Sequence, residues 1–225
     1  MIVVVGGIKG GSGKTTVSTN LAVMRALEGR DVLLVDADDQ ETASDFTILR
    51  NDSHPKGAGY TSIKLTGPAV RTQTVRLAEK YEDIFIDTGG RDTTSQRAAL
   101  SVADVLLVPF VPRSFDIWTI EKVSELVDEM RAANPELKAY VFLNRCDPSG
   151  RDNDEASEVL RDTQALQFIE TPLGTRKSFG NAAAKGLAVT ELKPQDTKAT
   201  NEIEILFRYL FDTNSISQFR QEARA

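Results

Sequence analysis

The feature that most constrains this chain is a glycine-rich turn set between a buried strand and a helix. The run IVVVGG (Ile2 to Gly7) is apolar and β-branched, the stretch IKGGSGKTT follows, and from Lys14 to Gly29 apolar residues recur at helical spacing. Glycines in such a turn let backbone N–H groups face phosphate oxygens without Cβ clashes, and the helix N-terminus adds its dipole. Gly10, Gly11, Ser12, Gly13, Lys14, Thr15 and Thr16 are therefore candidate phosphate-binding residues. Lys14 is expected to reach the β- and γ-phosphates and the Thr15 hydroxyl to ligate Mg²⁺. The strict pattern of glycine, four residues and Gly-Lys-[Ser/Thr] is not met, because Ile8 stands where its first glycine falls. The loop carries instead an additional lysine, Lys9.

The strand–helix alternation continues along the chain. Asp31 to Ala37, Asp83 to Thr88, Asp104 to Phe110 and Ala139 to Asn144 are near-continuous apolar runs that fit strands buried on both faces of a parallel sheet. Leu166 to Glu170 is a further strand and Tyr60 to Leu65 a weaker one. Helical patterns cover Gly67 to Lys80, Thr93 to Val102, Phe115 to Ala133, Asp154 to Thr163, Thr175 to Leu187 and Lys198 to Phe211. Gly29 and the Asn134-Pro135 step supply stop signals. Asn51 to Gly59 reads as a loop. The expected fold is α/β: one doubly wound, mostly parallel sheet flanked by helices, spanning residues 1–212, with 213–225 as a tail. Ligands of such sheets lie beyond the carboxyl ends of the strands, so the polar residues there are the ones to inspect.

Three strand ends carry them. LLVDADDQ places Asp36, Asp38, Asp39 and Gln40 after the second strand, and IFIDTGG places Asp87 before Thr88, Gly89 and Gly90. A carboxylate at the end of a buried strand is costly unless it is paired or near a metal, so Asp87 is expected beside Mg²⁺. Paired glycines after it allow a loop to rearrange with the γ-phosphate. FLNRCD places Asn144 at the fifth long strand's end.

Lys9-Gly10-Gly11-Ser12-Gly13-Lys14-Thr15, followed by Asp-x-Asp-x-Gln from Asp36 to Gln40, resembles the ParA/MinD family of deviant Walker ATPases over nearly the whole chain. The resemblance implies ATP and Mg²⁺ as cofactors, and a nucleotide-sandwich homodimer in which Lys9 reaches the partner's phosphates. It gives Lys9, Lys14 and Asp38 catalytic roles, with Asp38 orienting the attacking water close to the metal and Asp36 supporting it. Asn144 would read the adenine edge, and Pro172, after Thr171, would close the other side of the base. Proline often stands in the family where this chain has Asp39.

The ATP cycle then admits three readings. In the first, the ATP-bound dimer coats DNA without sequence preference, and a ParB-like or adaptor protein stimulates slow hydrolysis to position or segregate a plasmid or another cargo. The second is a membrane-cycling protein like MinD. The third is a metabolic ATP-dependent ligase on the same fold. A net charge of −6 argues against a strong general affinity for nucleic acid. From Thr171 onward, however, Lys and Arg (8) outnumber Asp and Glu (6), whereas the rest is acidic by 27 to 19. Arg176, Lys177, Lys198 and Arg208 are the candidate DNA contacts, acting by phosphate neutralisation. The tail offers only Ile216 and Phe219 as bulky apolar residues, which disfavours a stable membrane anchor.

A single cysteine, Cys146, excludes a disulfide framework and is expected to be a passive apolar residue. With no apolar run of about 20 residues and no basic leader before Ile2, the expected location is the cytoplasm, in association with the nucleoid. His54 is expected at the surface, while Trp118 and Phe115 are expected to pack.

Overall fold

The computed structural model describes residues 1–112, 117–148 and 151–212. These residues form seven strands and eight helices, in chain order β1 (Ile2–Val5), α1 (Lys14–Leu27), β2 (Val32–Ala37), α2 (Thr42–Ser53), β3 (Thr61–Lys64), α3 (Ala69–Leu77), β4 (Asp83–Thr88) and α4 (Thr94–Leu100). Then follow β5 (Val105–Phe110), α5 (Ile117–Ala133), β6 (Lys138–Leu143), α6 (Arg151–Asp162), β7 (Gln167–Ile169), α7 (Lys177–Ala183) and α8 (Thr197–Phe211), with a short 3₁₀ turn at Val189–Glu191. The strands form one sheet in the order β3-β2-β4-β1-β5-β6-β7, and every pairing is parallel.

The apolar runs explain this sheet. Alternate residues of β1 point to opposite faces, and both faces are covered. Val4 joins Leu33, Ile84 and Leu106 in one core, under α3 to α6. Val3 and Val5 join Leu34, Phe85 and Leu107 in the other, where Leu21 of α1 and Ile203 and Leu206 of α8 pack. Strands buried on both sides need no polar alternation.

Parallel register brings the chemistry to one edge. Val5 lies opposite Asp87, and Asp36 lies opposite Asp87 from the other side, so the ends of β1, β2 and β4 converge.

The structure departs from the sequence reading in several places. Thr42–Ser53 is a helix that the pattern does not reveal, and it ends inside the stretch expected to be a loop. Its buried face is largely polar, built on Ser44, Thr47 and Arg50 beside Ala43 and Phe46, which hides the amphipathic signal. The helix expected from Thr175 to Leu187 is shorter, Lys177–Ala183, because Gly186 takes φ 67° and turns the chain. His54 is half-buried, with Nδ1 3.2 Å from the Arg50 carbonyl oxygen. Trp118 does not pack but stands 73% exposed. Phe115 and the tail from 213 onward lie outside the described residues. Among those described, no helix is long and apolar enough to cross a membrane.

Candidate functional site

The phosphate loop leaves β1 and closes on α1 through two left-handed glycines, Gly11 (φ 73°) and Gly13 (φ 92°). At Gly13 a side chain is excluded twice over, since a Cβ would also lie 2.4 Å from the Asn144 amide nitrogen. Lys14 is folded back into the loop, where its Nζ donates to the Lys9 carbonyl at 2.9 Å. Burial lowers its pKa, opposed by the negative charges of Asp87 and Asp38. Lys9 itself is half-exposed on the loop.

The second strand end is organised by Asp36. It is buried, and its oxygens accept from the Ser44 N–H (2.8 Å), the Ser44 hydroxyl (2.7 Å) and the Asp38 N–H (3.2 Å). These bonds offset the cost of burying the charge and pin the turn leading into α2. Asp38 is thereby held at the cleft, and its Oδ1 accepts the Gln40 N–H at 3.2 Å.

Asp87 is fully buried at the end of β4. Its Oδ2 accepts the Thr15 hydroxyl at 2.7 Å, while its Oδ1 has no hydrogen-bond partner among the described residues. Burial pushes its pKa up to about 7, against the hydrogen bonds from Thr15 and Ser18. A buried carboxylate oxygen with nothing bonded to it, next to a phosphate-loop threonine, fits the environment of a hard cation. Thr15, Asp87 and Asp38 are the residues that would hold Mg²⁺.

The loop after β4 closes the cleft by backbone contact. A Cβ at Gly90 would lie 2.5 Å from the Gly10 nitrogen and 2.9 Å from the Lys9 carbonyl carbon, and one at Gly89 would lie 3.1 Å from Asp38 Oδ1. The result is a cleft of about 720 Å³ lined by Gly10, Gly11, Gly13, Lys14, Thr15 and Thr16 from the loop and by Asp38, Asp39, Gly89 and Gly90 opposite. Thr42, Arg91, Thr93 and Arg145 line it as well. Sequence reading missed these four. Arg91 and Arg145 each directly follow a residue that had been singled out, and that adjacency was the available signal.

Asn144 is buried behind the phosphate loop, and its amide is engaged. Its nitrogen donates to the Ser12 carbonyl at 2.6 Å and its oxygen accepts the Arg145 N–H at 3.0 Å, which supports Arg145 in a left-handed turn (φ 56°). An adenine contact would have to replace the Ser12 bond. Pro172 is exposed on the neighbouring segment, which is tied to the end of β6 by the Leu173 N–H to Leu143 carbonyl bond (2.9 Å) and the Thr175 hydroxyl to Arg145 carbonyl bond (2.8 Å). Cys146 is buried, and burial pushes its thiol up to about 11, as fits a passive residue.

The four basic residues do not form one free surface. The Arg176 guanidinium is tied to Glu202 by two bonds of 2.9 and 2.5 Å, and Arg208 pairs with Glu204 at 3.2 Å. Lys177 and Lys198 are exposed.

A model of the CobQ/CobB/MinD/ParA nucleotide-binding domain matches residues 3–189. The chain belongs to this family. It is 27% identical over 201 residues to the maintenance of carboxysome distribution protein A of Halothiobacillus neapolitanus, covering 88% of this chain and 91% of that protein. It is 21% identical over 245 residues to protein IncC of Escherichia coli, covering 93% of this chain and 68% of that one. Among solved structures, a Cyanothece McdA variant in complex with ATP matches with a TM-score of 0.77 at 17% identity, over 93% of this chain and 95% of that chain. A chain of the Aquifex aeolicus MinC:MinD cell division complex matches at 0.70 and 16% identity, over 94% and 96%. These likenesses show the ParA/MinD type of P-loop fold.

Proposed function

We propose that this chain is a slow, partner-stimulated ATPase. Its ATP-bound form is a sandwich homodimer that binds DNA without sequence preference and uses hydrolysis to time release of a cargo. The observation that carries this reading is the pair of loop lysines. Lys14, buried in the loop, serves the β- and γ-phosphates of its own site, and the half-exposed Lys9 in the same loop serves those of a second copy. Thr15, Asp87 and Asp38 would hold Mg²⁺, which when bound would neutralise phosphate charge. Asp38, pinned by Asp36, is positioned to orient the attacking water, and Gly89 and Gly90 let the adjoining loop respond to the γ-phosphate.

The base contacts of Asn144 and Pro172 belong to the same proposal, with Arg145 added on the cleft wall. For DNA, Lys177 and Lys198 are the more available contacts, since Arg176 and Arg208 are already engaged by glutamates. The cargo is a plasmid or a protein compartment, and the relative covering 88% of this chain supports the compartment. Action near the nucleoid follows from DNA binding.

The test is binding to random duplex DNA with ATP, with ADP and without nucleotide, over a salt series. Binding only with ATP, falling steeply with salt, is expected, and Lys9→Ala is expected to lose it together with ATP-dependent dimerisation. Full dimerisation and turnover by Lys9→Ala would sink the sandwich. Binding to anionic liposomes in place of DNA would favour the membrane-cycling reading, and monomeric turnover only with an added carboxylate substrate would favour a ligase.

A further inference from the structure

Gln96 is completely buried, one turn into α4 and just beyond the Gly89–Thr93 loop. Its Oε1 accepts the Gly7 N–H at 3.2 Å and the Thr88 hydroxyl at 3.0 Å, a hydroxyl whose one hydrogen is shared with the Val5 carbonyl at 3.2 Å. Gly7 is where β1 gives way to the phosphate loop, and Thr88 is the last residue of β4, next to Asp87. The Gln96 N–H in turn donates to the Thr93 hydroxyl that caps α4, at 3.2 Å. One acceptor atom therefore joins the root of the phosphate loop to the root of the loop carrying Gly89 and Gly90. The packing around it is tight: a Cβ at Gly6 would lie 3.0 Å from Leu106, 3.2 Å from the Thr88 hydroxyl and 3.4 Å from Gln96 Oε1. Displacement of one root is thus felt at the other.

The other half of the amide supplies an independent observation. A backbone N–H can only donate, so the atom facing Gly7 is the oxygen, and the NH₂ group is the one left over. That Nε2 is buried without a partner among the described residues. A buried donor in this state is disfavoured, and an arrangement of the neighbouring loop that presents an acceptor to it would be stabilised.

We propose that Gln96 is a positioning residue that couples the Gly89–Thr93 loop to the phosphate loop, so that the γ-phosphate is sensed by both together. The orphan amide N–H gains its partner in the rearranged loop. The inference rests on the nucleotide site of the proposed function and does not depend on DNA binding. A packing role alone would lower thermal stability and affect all nucleotides alike. A coupling role makes affinity depend on the γ-phosphate.

The experiment measures equilibrium affinity for Mg-ADP and for a non-hydrolysable Mg-ATP analogue by calorimetry, in wild type, Gln96→Met, Thr88→Val and the double variant. Methionine keeps the volume and removes the acceptor, and valine removes the Thr88 donor. Gln96→Met is expected to weaken the analogue about tenfold while leaving ADP within about twofold. Thr88→Val should act in the same direction, and the double variant should add little to Gln96→Met, since both cut one connection. Equal loss for both nucleotides, no loss for either, or additive losses would overturn the coupling. If Gln96→Met shows no cooperative melt, Thr88→Val carries the same comparison alone. Wild-type protein that binds neither nucleotide overturns the nucleotide reading, and the coupling with it.

Discussion

At the scale of single residues, the site stores an electrostatic conflict at Asp87. Its carboxyl is wholly buried, one oxygen has no partner, and burial raises its pKa from 3.8 to about 7. The folded chain therefore holds a proton that the unfolded chain releases between those values. Nucleotide-free stability should fall as pH rises from about 4 to about 7, because the folded state binds more protons there than the unfolded state. Asp87→Asn removes the conflict. It is expected to raise the melting temperature of the free protein near neutral pH, to flatten that pH dependence, and to lose the stabilisation conferred by Mg-ATP. Melts at several pH values, with and without Mg-ATP, check all three outcomes. An Asp87→Asn variant less stable than wild type without nucleotide, at pH 7, would show that the buried carboxyl is no source of strain.

At the scale of elements, α2 shows how a helix without an apolar stripe is held. Arg50, only 4% exposed, donates to the Ala58 carbonyl (2.8 Å), to the Gly186 carbonyl (2.8 Å) and in a fork to Glu191 (2.7 and 3.0 Å). Gly186 is pressed against this helix so closely that a Cβ would lie 2.6 Å from the Arg50 backbone. Arg50→Met leaves two carbonyls without this donor and Glu191 with only the Ala188 N–H as donor among the described residues, and is expected to cost roughly 3 kcal/mol, read by urea unfolding. A loss within about 0.5 kcal/mol, ordinary for a surface change, would show that α2 is held by something else. The same element marks the limit of sequence reading. The strands were legible because burial on both faces leaves uninterrupted apolar runs, and the phosphate loop because its glycines and lysines are contiguous. Asp36, Asp38 and Asp87 were legible because each ends such a run. Arg50 and Gln96 were not, since what each does is set by partners far along the chain: Glu191 and Gly7. The bond from Asn144 to the Ser12 carbonyl was not legible either.

At the scale of the whole molecule, the sheet order sets β4 directly between β1 and β2, so that the loops after β1 and β4 meet. They meet as bare backbone, and the contact is lopsided. A side chain at Gly90 would collide with Gly10, whereas a side chain at Gly10 would meet nothing within 4 Å. The two glycines thus answer to different masters: position 90 to the folded chain, position 10 only to whatever enters the cleft. In a library of variants sorted for survival to protease without nucleotide, alanine should be depleted at 90 and retained at 10. Sorted for ATP binding, it should be depleted at both. The difference between the two screens is a map of the ligand drawn in tolerated substitutions, with position 10 as its first point.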